Sequence, residues 1–171
     1  MVIQVTTRRI QPLTNFKFVV KFEGETEPIA AVSKFSGLKR TTEVIEHRDG
    51  GMPSTPVMTP GYSKFEPITL ERGQILDVAF EEWAQSVFSP LGDGGVSLGE
   101  LRRNLTLEVL NLEGNVAIAW SIYGAWVTEY NAASELDANA SAVLFESVVL
   151  NHHGFQRDIA VTEEIDGFSP G

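Results

Sequence analysis

The stretch Arg102-Arg103-Asn104-Leu105-Thr106-Leu107-Glu108-Val109-Leu110-Asn111-Leu112-Glu113-Gly114-Asn115-Val116-Ala117-Ile118-Ala119-Trp120-Ser121-Ile122 decides the fold class. Leu105, Leu107 and Val109 alternate with polar residues, which places one side of an extended strand against a core. Leu112-Glu113-Gly114-Asn115 is a hairpin turn, with glycine where the backbone reverses. Val116, Ile118, Trp120 and Ile122 then share one face of the returning strand. Trp126–Tyr130 is expected to continue that strand past a bend at Gly124.

The same alternation recurs outward from this hairpin. Phe16, Phe18, Val20 and Phe22 alternate with Lys17, Val19, Lys21 and Glu23, ahead of a turn around Gly24–Pro28. Ile29–Phe35, Thr41–His47 and Phe65–Leu70 read as further strands, and Val143–His152 as the last. One segment departs from the pattern. Leu76, Phe80, Trp83, Ala84 and Val87 recur at helical spacing. Asp77 near the start suits the helix dipole and Ser89-Pro90 ends it. The expected fold is mainly β: an antiparallel β-barrel or sandwich, one flanking α-helix at about 75–88, and a long extended loop at 46–61.

The chain of 171 residues is long enough to bury a core as one domain, and it contains no cysteine. Disulfide scaffolds, thiol catalysis and cysteine-held metal centres are therefore excluded. The expected division is a barrel domain over 1–157 and an acidic C-terminal tail over 158–171. No run reaches the roughly 18 apolar residues of a membrane-spanning helix. Arg8-Arg9 is not followed by an apolar stretch, so no secretory signal is read there, and synthesis in the cytoplasm is expected. The net charge is −10. Nearly all of the excess falls in residues 86–171, a balance that disfavours nucleic acid and anionic membranes as partners.

Chemical motifs are few. Gly95-Val96-Ser97-Leu98-Gly99 matches the G-x-S-x-G nucleophile elbow, and Asp137 and His152 or His153 follow in hydrolase order. The elbow requires a parallel strand before the serine and a helix after it. Here a glycine-rich stretch precedes Ser97 and a strand follows, so the motif lacks its setting. Adjacent His152 and His153 point to opposite faces of a strand and do not share one metal. Glu46, His47 and Asp49 are too weak a set for a metal site. Trp83, Trp120 and Trp126 read as core or interface anchors. No catalytic, metal or cofactor-binding residue is assigned.

The loop Glu46–Gly61 carries Pro53, Pro56 and Pro60, a Gly50-Gly51 pair, and Met52, Val57 and Met58. Long loops in compact domains are commonly functional, and exposed apolar residues of this size call for a partner surface. A small barrel with open strand edges is also a template for another chain.

Taken in order, several segments resemble the tail tube family of contractile phages and the inner tubes of contractile injection systems. They are Asn15-Phe16-Lys17-Phe18, Phe35-Ser36-Gly37-Leu38, Thr42–Gly51, Ile68-Thr69-Leu70-Glu71-Arg72-Gly73, Trp83, Arg102–Leu107, Gly114-Asn115 with Trp120, and Glu146–Gly154. The resemblance spans about residues 10–157. It implies a structural protein, not an enzyme, with a fold similar to the haemolysin co-regulated protein of type VI secretion. It also implies self-assembly into hexameric rings stacked as a hollow tube for DNA or effectors. Sheath, baseplate and tube-capping proteins are the implied partners, with cargo in the lumen and no cofactor. The implied location is a virion tail or a released or membrane-docked particle.

On this resemblance the loop reaches neighbouring subunits. Arg48, Asp49, Gly50, Gly51, Met52, Pro56, Val57, Met58 and Tyr62 are the expected interface residues. Glu108, Glu113 and Glu129 are candidates for an acidic lumen that repels passing DNA. The alternatives are a tube-initiating or baseplate paralogue of the same fold, and a monomeric ligand-binding β-barrel.

Overall fold

The computed structural model describes residues 17–48, 50–51, 55–73, 79–86, 98–133 and 144–161. The strands are β1 (Lys17–Phe22), β2 (Ala30–Val32), β3 (Lys34–Phe35), β4 (Arg40–His47), β5 (Val57–Phe65), β6 (Ile68–Gly73), β7 (Arg103–Leu110), β8 (Val116–Asn131), β9 (Phe145–Asn151) and β10 (Gly154–Asp158). Two short helices lie between β6 and β7: α1 (Ala79–Gln85) and α2 (Leu98–Leu101).

Eight strands form one antiparallel sheet whose order is β2-β1-β7-β8-β9-β6-β3, with β10 on β8. β8 is long enough to serve two layers. Its first half pairs with β7 and β10, and its second half pairs with β9. The other side closes through Ser33, which joins β2 to β3 and bonds by its amide to the Glu71 carbonyl at 2.9 Å. The sheet thus wraps into a barrel, as its alternation predicts.

Gly124 marks the bend in β8. Its φ is +58°, and a Cβ there would lie 2.4 Å from Cδ2 of His153. Its amide donates to Asn104 Oδ1 at 2.9 Å, which fixes the corner to the start of β7. Only glycine meets both the left-handed backbone and the close ring.

The core draws on both layers. Val20, Leu105, Leu107 and Ile122 from the first face Ile68, Leu70, Val148 and Leu150 from the second. Ile118, Trp120 and Ile122 oppose Val109, Leu107 and Leu105 of β7, as the alternation requires, whereas Val116 lies past a register shift, opposite Leu110. Trp83 and Ala84 of α1 are buried, and the Trp83 ring meets Phe22 edge-on at 5.4 Å. The helix therefore covers the barrel as the periodicity predicts; Leu76 and Val87 lie outside the described residues.

Three boundaries differ from the sequence reading. Ile29–Phe35 is two strands, because Ser33 turns the chain from one layer to the other. Phe65 ends β5, and Glu66-Pro67 separates it from β6. The last strand is β10, not β9. β10 places a single large apolar residue, Phe155, on its inward side and so carries no alternation signal.

A charged pair crosses the core. Arg72 and Glu146 are cross-strand partners on β6 and β9, both almost fully buried, and Arg72 Nε donates to Glu146 Oε1. Arg72 also donates from Nη1 to the Ile29 carbonyl at 3.4 Å, which ties the second layer to the start of β2. The Tyr130 hydroxyl reaches Glu146 Oε2 at 3.3 Å. Burial, then the Glu146 and Glu81 charges, push the Tyr130 phenol up to about 12.

Removing one buried charge strands the other, whereas removing both does not. Arg72→Met is therefore expected to cost about 3–5 kcal/mol in urea denaturation, and Arg72→Met with Glu146→Leu to recover most of it. The Tyr130 phenol ionises more readily in the unfolded chain, so its contribution is complete below pH 10 and is lost as pH rises toward 12. Tyr130→Phe should flatten the stability–pH curve in that window.

Candidate assembly interface

β4 and β5 pair with each other alone among the described residues and form a two-stranded arm. The stretch read as a loop over 46–61 is the outer part of this hairpin. β4 runs to His47 and β5 begins at Val57, which is its partner. Pro60 and Gly61 look like turn residues in sequence. They are accommodated here because Pro60 lies in a ladder with open edges, next to the register shift between Thr42 and Val44.

Register fixes what each face of the arm presents, since cross-strand partners share a face. Val44 opposes Pro60 and Glu46 opposes Met58 on one side. Ile45 opposes Thr59 and His47 opposes Val57 on the other. The Ile45 side chain lies across Gly61, where a Cβ would stand 3.0 Å from Cδ1. Val44, Ile45, Val57, Met58 and Tyr62 are all exposed, Tyr62 to 86%. A soluble β-ribbon ordinarily hides one apolar face; this one offers apolar groups on both.

The arm is rooted firmly. Phe65, at the end of β5, packs against His152 at 5.6 Å and Phe155 at 5.8 Å between ring centroids. It lies over Gly154, where a Cβ would stand 3.4 Å from its Cζ. His152 is buried, and its Nε2 lies 3.0 Å from the Glu66 carbonyl just beyond the root. Glu66 donates its amide to the Lys39 carbonyl at 3.1 Å, and Lys39 Nζ meets Glu66 Oε1 at 2.8 Å.

Of the expected interface residues, Val57, Met58 and Tyr62 stand on β5, Pro56 just precedes it, and Arg48, Gly50 and Gly51 lie at the tip. Asp49 and Met52 lie outside the described residues. Val44 and Ile45, also exposed on the arm, are not among the expected residues, although β-branched residues in a strand-like run next to an apolar loop were a usable signal. The three acidic candidates do not come together. Glu108 is on the outward side of β7 and pairs with Lys21 Nζ at 2.8 Å. Glu113 is in the exposed β7–β8 turn. Glu129 is in the other layer, opposite Val149 beside a register shift.

Ser97 lies outside the described residues, but every described strand pairing is antiparallel, without the setting an elbow needs. His152 is buried while His153 and His47 are exposed at separate places. Among the described residues no three His, Asp or Glu side chains form a metal-binding group, and no helix is long and apolar enough to cross a membrane.

The described strands form an antiparallel barrel carrying an arm with apolar side chains exposed on both faces. The chain belongs to the family described as T4-like virus tail tube protein gp19, which matches residues 14–156. It is a tail tube subunit of the kind found in contractile phages and injection systems, and its role is structural, not enzymatic.

Solved structures show the same fold. A chain of an extracellular contractile injection system, the PVC sheath–tube complex in the extended state, is 20% identical with a TM-score of 0.69, over 88% of this chain and 93% of that one. A chain of the anti-feeding prophage tube-terminating cap is 21% identical with a TM-score of 0.69, over 92% and 99%. Hcp1 from Salmonella typhimurium is 10% identical with a TM-score of 0.52, over 84% and 86%. No curated protein matches the chain in sequence.

If Phe65 is what holds the arm to the barrel, Phe65→Ala should loosen it while leaving the core intact. Limited trypsin digestion is expected to cut at Arg40 and Lys64 several-fold faster, with little change at β7 and β8.

Proposed function

We propose that the chain assembles as hexameric rings that stack into the hollow inner tube of a contractile tail or injection particle. The lumen carries DNA or effectors toward the target. The observation that carries this reading is the arm: five large apolar side chains, on both faces, with no core of their own. A ribbon apolar on both sides is stable in water only when it lies between two surfaces. Neighbouring subunits of the same tube supply them. Arg48, Asp49, Gly50, Gly51, Met52 and Pro56 at and near the tip join the contact.

The ring number follows the family resemblance and the six-fold symmetry of the similar anti-feeding prophage baseplate. The similar structures come from a baseplate, a sheath–tube complex and a tube-terminating cap. Sheath, baseplate and capping proteins are accordingly the proposed partners. Assembly in the cytoplasm into a virion tail or a released or membrane-docked particle accords with this.

Substituting exposed residues perturbs assembly without perturbing the fold. Val44→Asp with Met58→Asp should leave the melting temperature of the isolated subunit unchanged and abolish rings and tubes in electron microscopy. Light scattering should then report the 18.8 kDa monomer. Tubes equal to those of the unsubstituted chain would count against the arm as an interface.

A further inference from the structure

We propose that the end of the barrel formed by the β7–β8 turn and the residues after β10, centred on Leu112 and Ile159, is the socket for the β4–β5 arm of a second copy. This rests on the tube reading and adds which surface receives the arm.

Outside the arm, Leu112 at 77% and Ile159 at 86% are the most exposed large apolar residues described. Both lie at one end of the first layer. There Lys17 pairs with Leu110 and Leu110 with Val116, and Ile159 follows Asp158, which pairs with Ala119. The arm is rooted at the other end. Phe65 lies over Gly154, which pairs with Tyr123 beside the Gly124 corner. One subunit thus carries two different apolar patches, one at this end and one on an arm rooted at the other. A repeating stack needs that arrangement, because heterologous contacts propagate whereas a self-complementary patch closes a dimer.

The socket is preorganised. Asn111 Oδ1 accepts from the amides of Glu113 at 3.0 Å and Asn115 at 2.9 Å, which holds Leu112 outward on an ordered turn. Asp158 Oδ1 accepts from the Ala160 amide at 2.9 Å and fixes the turn that carries Ile159. A backbone already ordered loses less freedom on contact. Lys17, Glu113 and Asp158 give the patch a polar rim of mixed sign, as interfaces commonly have.

The arm has the reach. The eight residues of β4 span about 25 Å at roughly 3.3 Å each, and β7 has the same length. Its apolar residues Val44, Ile45, Val57 and Met58 lie in the outer half, away from the root, where the end of a neighbouring barrel would meet them.

The absence of native cysteine makes a direct test clean. Met58→Cys with Leu112→Cys in one chain, assembled and treated with a short bismaleimide, should give a ladder of dimers, trimers and higher species. Linked product should exceed that of either single variant by about tenfold. Tubes that form without this excess would overturn the socket and leave the tube reading standing. An unsubstituted chain that forms no tubes would overturn both. A second variant, Leu112→Asp with Ile159→Asp, should keep the subunit's melting temperature and remove tubes as completely as Val44→Asp with Met58→Asp does. Tubes of unchanged length would overturn the proposal. So would a lowered melting temperature of the isolated subunit, which would mean that the two side chains already support the fold within one chain.

Discussion

Everything in this fold hangs on one strand serving two layers. β8 pairs with β7 and β10 in its first half and with β9 in its second. It changes layers at Gly124, where the left-handed backbone and the His153 ring leave no room for a side chain. The bend brings the β6–β9 pair over the β1–β7 pair, and the apolar faces of both meet in one core. The same corner sets the position of His152, Gly154 and Phe155, which grip the arm. Shape of barrel and placement of arm are therefore consequences of a single turn in the chain.

Inside the barrel, the Arg72–Glu146 pair sets register. The two residues are direct cross-strand partners, and a slip of either strand by one position would turn its own member toward solvent and leave the other charge buried alone. Arg72 also reaches the Ile29 carbonyl, so the pair links layers as well as strands. An apolar pair of similar volume would pack at no greater cost, but it would not discriminate between registers in this way. Rigidity of this kind accords with a subunit that transmits load.

The barrel strands were legible because each presents one face to a core, and alternation follows. The β7–β8 hairpin was readable down to its turn, where Asn111 and Gly114 supply the side-chain and backbone requirements. The helix was readable from Trp83 and Ala84. Of the arm, β4 was readable as the strand Thr41–His47, whereas β5 was not. With no core beneath it, β5 has no buried face to impose a period, and Pro60 and Gly61 read as turn residues. The apolar content of that same stretch is what makes it a candidate interface. Glu108, Glu113 and Glu129 had only charge in common, and charge alone says nothing about which layer or end a residue occupies. Leu112 and Ile159 each sit in a polar turn, so only the folded chain shows them sharing one end.

The proposed interface makes the arm an unfinished surface that neighbouring copies complete. Amide hydrogen exchange on dissociated subunits and on assembled particles is the direct test. Fast exchange is expected along Arg40–His47 and Val57–Phe65 in the free subunit, with strong slowing of both segments on assembly while β7 and β8 stay slow throughout. Equally fast exchange of the arm in both states would contradict it.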